Sequence, residues 1–261
     1  MIKKFHPFHI VQLRPWPIVA SLSALLMTSS LVVSININSS SITILNLIIT
    51  LVIRFIWWKN VSQESFNQGE HYYQTIFNLK LGIILFITSE IIFFLRFFWA
   101  YFHSSISPRF EIGIIWPPLI INSFDPINIP LLNSLILLSS GVSITWAHHQ
   151  IINKNLNSAN KAIILTIILG LYFTFLQLFE YSQREFNITD ASYGSTFFMA
   201  TGFHGLHVII GTTFIITSWK RLNNLLNTYN HTIGFETSAW YWHFVDVVWL
   251  FLYTSIYWWG Y

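Results

Sequence analysis

Long runs of apolar residues, separated by short polar segments, dominate this sequence. A membrane-spanning α-helix needs about 20 mainly apolar residues, because the hydrocarbon layer is about 30 Å thick and the helix rises 1.5 Å per residue. Seven runs meet this requirement, which predicts an all-α, polytopic membrane protein with seven transmembrane helices. The predicted spans are residues 17–35, 42–58, 79–102, 129–147, 162–179, 196–218 and 238–258.

Two of the connections are longer than the others, at residues 59–78 and 103–128. We find no internal repeat and no stretch that resembles a separate soluble domain. The pattern therefore predicts one membrane domain over residues 1–261, with helices 1 and 2 within residues 1–58. An inner loop at 59–78 then leads to helices 3 to 7 within residues 79–261.

The distribution of Lys and Arg predicts the orientation, because these residues concentrate on the inner side of a membrane. With the N-terminus inside, the inner side receives ten of them and the outer side three. We therefore expect an inner N-terminus and, after seven spans, an outer C-terminus. Several acidic residues then fall on the outer side, namely Glu111, Asp125, Glu180, Glu185 and Asp190.

The composition supports the membrane assignment and excludes several functional classes. Hydrophobic residues make up 54% of the chain and charged residues only 9%, against roughly 25% charged residues in ordinary soluble domains. The formal net charge of +3 is too small to indicate a nucleic-acid partner. Because the chain has no cysteine, it has no thiolate metal ligands and no cysteine nucleophile.

Three ionisable residues are predicted to lie near the middle of the apolar layer. Counting along straight helices from Lys80, Lys220 and Glu236 places Glu90, His207 and Asp246 roughly 15–20 Å from the inner face. Two further histidines share helix faces with this set, because His204 precedes His207 by three residues and His243 precedes Asp246 by three. Ionisable residues at this depth are usually functional or paired.

These residues allow three interpretations. They can form a hydrogen-bonded cluster that fastens helices three, six and seven together. They can handle protons, with Glu90 kept protonated by burial. They can also bind a haem, because His204, His207 and His243 are potential axial ligands. An autonomous proton or ion transporter centred on Glu90 is a related alternative, although such proteins usually show paired inverted repeats, which are not visible here.

Several longer motifs resemble one family, the mitochondrially encoded cytochrome c oxidase subunit III. The matching stretches run in the expected order over essentially the whole chain. They are "RPWPIVASLSALLMTS", "ISPRFEIGIIWPP", "PLLNSLILLSSGVSITWAHH", "YGSTFFMATGFHGLHVIIGTTF" and "GFETSAWYWHFVDVVWLFLYTSIYWWG".

The resemblance implies a role within a larger enzyme of the mitochondrial inner membrane. In this family subunit III carries no redox centre, while the partner subunits hold the haem and copper that transfer electrons from cytochrome c to oxygen. Its main contact is subunit I, with subunit II and accessory subunits as further partners. The resemblance also implies a two-helix group and a five-helix group separated by a V-shaped cleft filled with bound phospholipids. Subunit III is expected to support stability, sustained turnover and proton uptake of the proton-pumping complex. The N-terminus would lie in the matrix and the C-terminus in the intermembrane space.

Individual residues take roles from the same resemblance. Glu90 matches the buried carboxylate of helix three, and His207 and Asp246 match groups near it. Arg96 departs from the family pattern, in which a small or neutral residue is expected. The predicted lipid contacts are Trp58, Glu64, His71, Trp99, His103, Arg221 and His231.

Overall fold

The computed structural model describes Val11, Gly69 and residues 13–66, 71–110, 113–119, 121–223 and 232–261. Within these residues every helix or strand assigned is helical, which confirms the all-α prediction. A π-helical turn, Tyr253–Trp258, continues the last helix directly. The helices are α1 (Trp16–Ile37), α2 (Ser41–Phe66), α3 (Tyr73–Ile106), α4 (Ile129–Ile152), α5 (Leu156–Ser182), α6 (Ala191–Asn223) and α7 (Ile233–Leu252).

Six helices of the described chain, α1 to α6, are long and apolar enough to cross a membrane. The fold is that of a polytopic membrane protein. Together α7 and the π-helical turn cover the seventh predicted span, 238–258. That this last segment also crosses the membrane stays a prediction.

Several helices extend beyond the apolar runs that predicted them. The connection after α2 is shorter than the predicted loop at 59–78, because α2 continues to Phe66 and α3 already begins at Tyr73. The physical reason is that hydropathy marks where a helix leaves the hydrocarbon layer, whereas the backbone hydrogen bonds can continue into water.

Local sequence signals explain several helix ends. Pro17 and Pro130 lie in the first turns of α1 and α4, where a missing backbone N–H breaks no helical hydrogen bond. Asn155 caps α5, because its side chain accepts a hydrogen bond of 3.3 Å from the Ser158 backbone N–H. Asn38 ends α1 in the left-handed conformation at φ 54°.

The chain divides into two compact units, Met1–Leu79 and Lys80–Tyr261. In the first unit α1 and α2 pack against each other with small polar side chains such as Ser23 and Thr50 buried. The Thr50 hydroxyl donates to the Asn46 carbonyl at 2.7 Å and lies 3.4 Å from the Ser23 carbonyl of α1. Small side chains of this kind let membrane helices approach closely.

In the second unit two tryptophans of α7 occupy the centre of the packing among α4, α5 and α6. Trp242 and Trp249 are fully buried, and their indole N–H groups donate to Ser140 at 2.9 Å and to Ser134 at 3.0 Å. Gly211 of α6 makes room for one of these rings, since a Cβ there would lie 2.9 Å from Trp242. Each tryptophan thus combines a large apolar contact with a satisfied hydrogen bond to α4.

Helix α3 packs in a different way. It contacts α6 and α7 through phenylalanine rings rather than through close backbone approach. Phe93 packs edge-on against Phe203 with ring centroids 5.0 Å apart, and Phe94 lies 6.2 Å from Phe244. These rings act as spacers and leave a groove along α3.

Candidate functional site

Glu90 on α3 and His207 on α6 form a hydrogen-bonded pair. The His207 Nε2 atom lies 2.9 Å from Glu90 Oε2, and its Nδ1 atom lies 2.6 Å from the Phe203 backbone oxygen one turn earlier. The imidazole packs edge-on against Phe94 at 5.0 Å and lies nearly parallel to Tyr241 at 6.3 Å. The structure therefore brings together two residues that the sequence placed at similar depth on different helices.

The hydrogen bonds of His207 fix where its protons lie. A backbone carbonyl only accepts, so Nδ1 must carry a proton and donate it to Phe203. If the imidazole is neutral, Nε2 is an acceptor and the Glu90 carboxyl must be protonated to donate to it. If the imidazole is charged, Nε2 donates to a Glu90 carboxylate. In both arrangements the pair has no net charge and shares one proton, which suits the apolar layer.

His204 lies apart from this pair although it is only three residues before His207. Its ring is buried and lies 5.6 Å from the Phe173 ring and 5.2 Å from the Trp249 ring. Neither ring nitrogen has a hydrogen-bond partner among the described residues. His204 is therefore an aromatic core residue of the α5–α6–α7 packing.

His243 and Asp246 form a second, looser pair on α7. His243 Nδ1 lies 4.0 Å from Asp246 Oδ2, which is too long for a hydrogen bond. Both side chains approach Gly141 of α4, where an added Cβ would lie 2.7 Å from Asp246 Oδ2 and 3.8 Å from His243 Nδ1. In the described part of the chain, no hydrogen bond or ion pair joins this pair to Glu90 or His207. The predicted polar group thus separates into two pairs on different helix contacts.

An ion pair joins α3 to the first turn of α7. Lys80 Nζ lies 2.8 Å from Glu236 Oε2, and the Thr232 hydroxyl donates to Glu236 Oε1 at 2.7 Å. Partial burial raises the pKa of Glu236, but the hydrogen bonds from Lys80 and Thr232 and the positive charge of Lys80 outweigh it. The pKa of Glu236 is therefore lowered overall.

Arg221 lines a small hollow near the same end of the second unit. The hollow has a volume of about 240 Å³. A Cβ on Gly234 would lie 3.3 Å from the Arg221 guanidinium, so the cation packs closely against α7. No carboxylate among the described residues pairs with Arg221. Four hydroxyl side chains also line the hollow, and they already donate to backbone carbonyls: Thr217, Ser218, Thr237 and Ser238.

Three further predicted lipid contacts are exposed on helix surfaces. Trp58 on α2 is 59% exposed, and Trp99 on α3 is 74% exposed. His103 is exposed in the last turn of α3. These positions leave the side chains accessible to lipid.

The other predicted lipid contacts have different surroundings. Glu64 forms an ion pair with Arg14, so its carboxylate has a protein partner within the first unit. His71 is half-buried just before α3 begins. His231 lies outside the described residues.

Comparison with known proteins decides the family. A sequence model of the family described as cytochrome c oxidase subunit III matches residues 6–261. The chain belongs to the cytochrome c oxidase subunit III family.

Individual relatives of the subunit III family match over nearly their full lengths. A cytochrome c oxidase subunit 3 from Pelomedusa subrufa is 54% identical over 260 residues, covering 100% of both chains. Those from Anopheles quadrimaculatus and Drosophila melanogaster are each 52% identical, covering 98% of this chain and 97% of the relative. This chain is therefore a member of the oxidase complex, which is an oxidoreductase. Among the described residues, no three His, Cys, Asp or Glu side chains are placed to hold a metal ion together.

One buried polar group of this subunit III family member was not predicted from the sequence. Glu180 stays a predicted outer residue, and the structure adds that it lies in the last turn of α5 and is only 1% exposed. Nearby, Asn133 Nδ2 donates to Gln177 Oε1 at 3.5 Å, and Gln177 Nε2 donates to the Tyr257 hydroxyl at 3.4 Å. The available signal was the i, i+3 spacing of Gln177 and Glu180, which places both on one face of a helix.

A large apolar groove runs between α3 and α7, with a volume of about 1060 Å³. Two aromatic contacts cross it, with ring centroids 6.3 Å apart for Phe98 and Phe251 and 5.3 Å apart for Phe102 and Trp259. His243 lines one end of the groove and Trp259 the other. The groove follows directly from the aromatic spacers that hold α3 away from its neighbours.

Proposed function

We propose that this chain is a non-redox core subunit of cytochrome c oxidase that binds phospholipids and thereby sustains turnover of the complex. Subunit I would be its main contact, with subunit II and accessory subunits as further partners. The complex would lie in the mitochondrial inner membrane, with the N-terminus of this chain in the matrix. The V-shaped, lipid-filled cleft belongs to the same proposal. Because the chain belongs to the oxidase family, no observation favours the alternative of an autonomous transporter.

The observation that carries the lipid-binding proposal is the hollow beside Arg221. A half-buried guanidinium with no carboxylate partner among the described residues is suited to a phosphate, which it can bind through two parallel hydrogen bonds. The hydroxyls around it have already donated their protons to carbonyl groups. Arg221 is therefore the main donor that this hollow offers to an anionic head group. The α3–α7 groove offers an apolar surface of the kind that acyl chains cover.

A charge-removing substitution tests this proposal. We expect Arg221→Met in the assembled oxidase to release an anionic phospholipid and to shorten the time for which the enzyme remains active during turnover. Methionine keeps most of the apolar side-chain volume, so any loss of lipid or of active lifetime reports the removal of the charged guanidinium. Arg96→Met is the matched control, because Arg96 is exposed on α3 and does not line the hollow.

Two measurements give the result, namely mass spectrometry of the lipids that co-purify with the complex and the decay of oxygen consumption with time. Unchanged lipid content together with an unchanged active lifetime in Arg221→Met would reject the proposal. Equal effects in the Arg96→Met control would show that the loss of any cation is sufficient.

We also infer that the Glu90–His207 pair supports proton uptake by the complex. The support is that the pair shares one proton without net charge, so the proton can shift from one partner to the other within the apolar layer. The pH dependence of oxygen consumption in the Glu90→Gln complex tests this role, because glutamine cannot release a proton. An unaltered pH profile would count against it.

A further inference from the structure

The Glu180 carboxyl is buried without a compensating charge. The residue is 1% exposed, and neither carboxyl oxygen has a hydrogen bond of normal geometry to any described residue. The cation nearest in sequence, Arg184, follows the end of α5 and lies over the Phe198 ring at 5.3 Å. An ionised carboxylate in such surroundings loses its hydration and gains no counter-charge, which is strongly unfavourable.

The position of Glu180 in α5 adds to this penalty. It lies in the last turn, where the Gln183 backbone N–H is shared between the Glu180 and Phe179 carbonyls at 3.1 and 3.3 Å. The C-terminal end of a helix carries a partial negative charge from its carbonyl groups. A second negative charge on the Glu180 side chain would be repelled by these carbonyls.

The hydrogen bonds around Glu180 leave more acceptor atoms than donor protons. Asn133 donates to Gln177, and Gln177 donates to the Tyr257 oxygen, so the Tyr257 proton is free to point towards the Glu180 carboxyl, with which it interacts. In this group of Asn133, Gln177, Glu180 and Tyr257, the buried oxygen atoms that lack a partner are both oxygens of Glu180 and Oδ1 of Asn133. All three are acceptors when Glu180 is ionised. A proton on Glu180 converts one of them into a donor.

We propose that Glu180 is a proton-binding site, a neutral carboxylic acid at the end of α5 that anchors the C-terminal π-helical turn through Tyr257. Among the described residues, the titratable side chains that interact with it are tyrosines, Tyr181 of α5, Tyr193 of α6 and Tyr257 of the π-helical turn. They are uncharged at neutral pH, and α4 adds the uncharged amide of Asn133, which donates to Gln177. This inference goes beyond the lipid-binding proposal and does not depend on it.

Infrared spectroscopy of the purified oxidase complex tests the proposal, because neutral acids and carboxylates absorb in separate regions. We expect Glu180→Gln to remove a carboxylic-acid band that shifts when the complex is transferred from H₂O to D₂O. Glu90→Gln and Asp246→Asn are the controls, since both change a carboxyl within a helix and should leave this band unchanged. Glutamine has the shape of a neutral carboxyl and keeps a donor, so the Glu180→Gln complex should assemble normally.

Two outcomes would contradict the proposal. If Glu180→Gln removes a carboxylate band, or if that variant fails to assemble, Glu180 is not a neutral acid. Tyr257→Phe provides a second measurement with the carboxyl left in place. We expect it to shift the same acid band, because the carboxyl loses the Tyr257 hydroxyl. A band that does not move would refute the link to the π-helical turn. Lipid content is not expected to change in any of these variants.

Discussion

Replacing Glu90 by glutamine separates the two proton arrangements of the Glu90–His207 pair. If Glu90 is normally protonated and His207 neutral, glutamine preserves the shape of the side chain and can donate through its amide to His207 Nε2. If instead the pair is an imidazolium and a carboxylate, glutamine leaves the histidine cation without its counter-charge. The 2.9 Å contact and the fixed proton on Nδ1 make these the two alternatives that the structure allows.

The magnitudes of the two outcomes differ enough to measure. Neutral hydrogen bonds between membrane helices contribute about 0.6 kcal/mol on average and at most about 1.7 kcal/mol. Glutamine in a neutral pair should therefore change stability by less than about 1 kcal/mol, which is less than a tenfold change in an equilibrium constant. Breaking a buried ion pair by removing one partner costs about 3–5 kcal/mol, which is more than a hundredfold.

The assay is the retention of this chain in the purified oxidase as temperature is raised. Glu90→Leu is the control, because it leaves His207 Nε2 without a partner and should cost about 1–3 kcal/mol. For a neutral pair we expect the order wild type, Glu90→Gln and then Glu90→Leu, with the first two close together. If Glu90→Gln dissociates as early as Glu90→Leu, or fails to assemble, the neutral arrangement is wrong.

Two further predictions concern packing and charge. Gly141→Ala should destabilise the α4–α7 contact by about 1–3 kcal/mol, because the new Cβ would lie 2.7 Å from Asp246 Oδ2. Gly205→Ala is the matched control, because the space around its Cβ is open. Equal thermal stability of the two variants would refute the argument. The Lys80–Glu236 pair should add less than about 1 kcal/mol, because it is partly exposed. Since the pKa of Glu236 is lowered from 4.5 in the folded state, this contribution is present above pH 4.5 and disappears as the pH falls through the lowered pKa. Thermal dissociation of wild type and Lys80→Met should therefore differ at neutral pH and converge in acid, and a difference that persists in acid would contradict the assignment.

Much of the fold followed from the sequence because one physical constraint dominates it. The thickness of the hydrocarbon layer sets the length of each apolar run, so seven helices and their order were predictable. The helix ends were less predictable, as α2 and α3 show, because nothing in hydropathy forces a helix to stop at the membrane surface. The same counting along helices placed Glu90 and His207 at similar depth, and the structure brings them into contact.

Counting along a helix gives depth but not the direction in which a side chain points. His243 and Asp246 share a face of α7, yet that face lies against Gly141 of α4 rather than against Glu90. Only the packing of α7 against α4 determines this direction. The burial of Glu180 was not predicted for a related reason, because the sequence does not show that the surrounding helices cover a carboxyl near a helix end.

Several polar groups inside the second unit have partners on neighbouring helices. Glu90 and His207 balance each other, and the indole N–H groups of Trp242 and Trp249 donate to serines of α4. Such satisfied groups tie helices together without placing net charge in the apolar layer. Arg221 differs, because its charge has no carboxylate partner in the described part of the chain. Substitutions that remove these interior hydrogen bonds should therefore act mainly on assembly, whereas loss of the Arg221 charge should act on lipid retention and active lifetime while assembly proceeds normally.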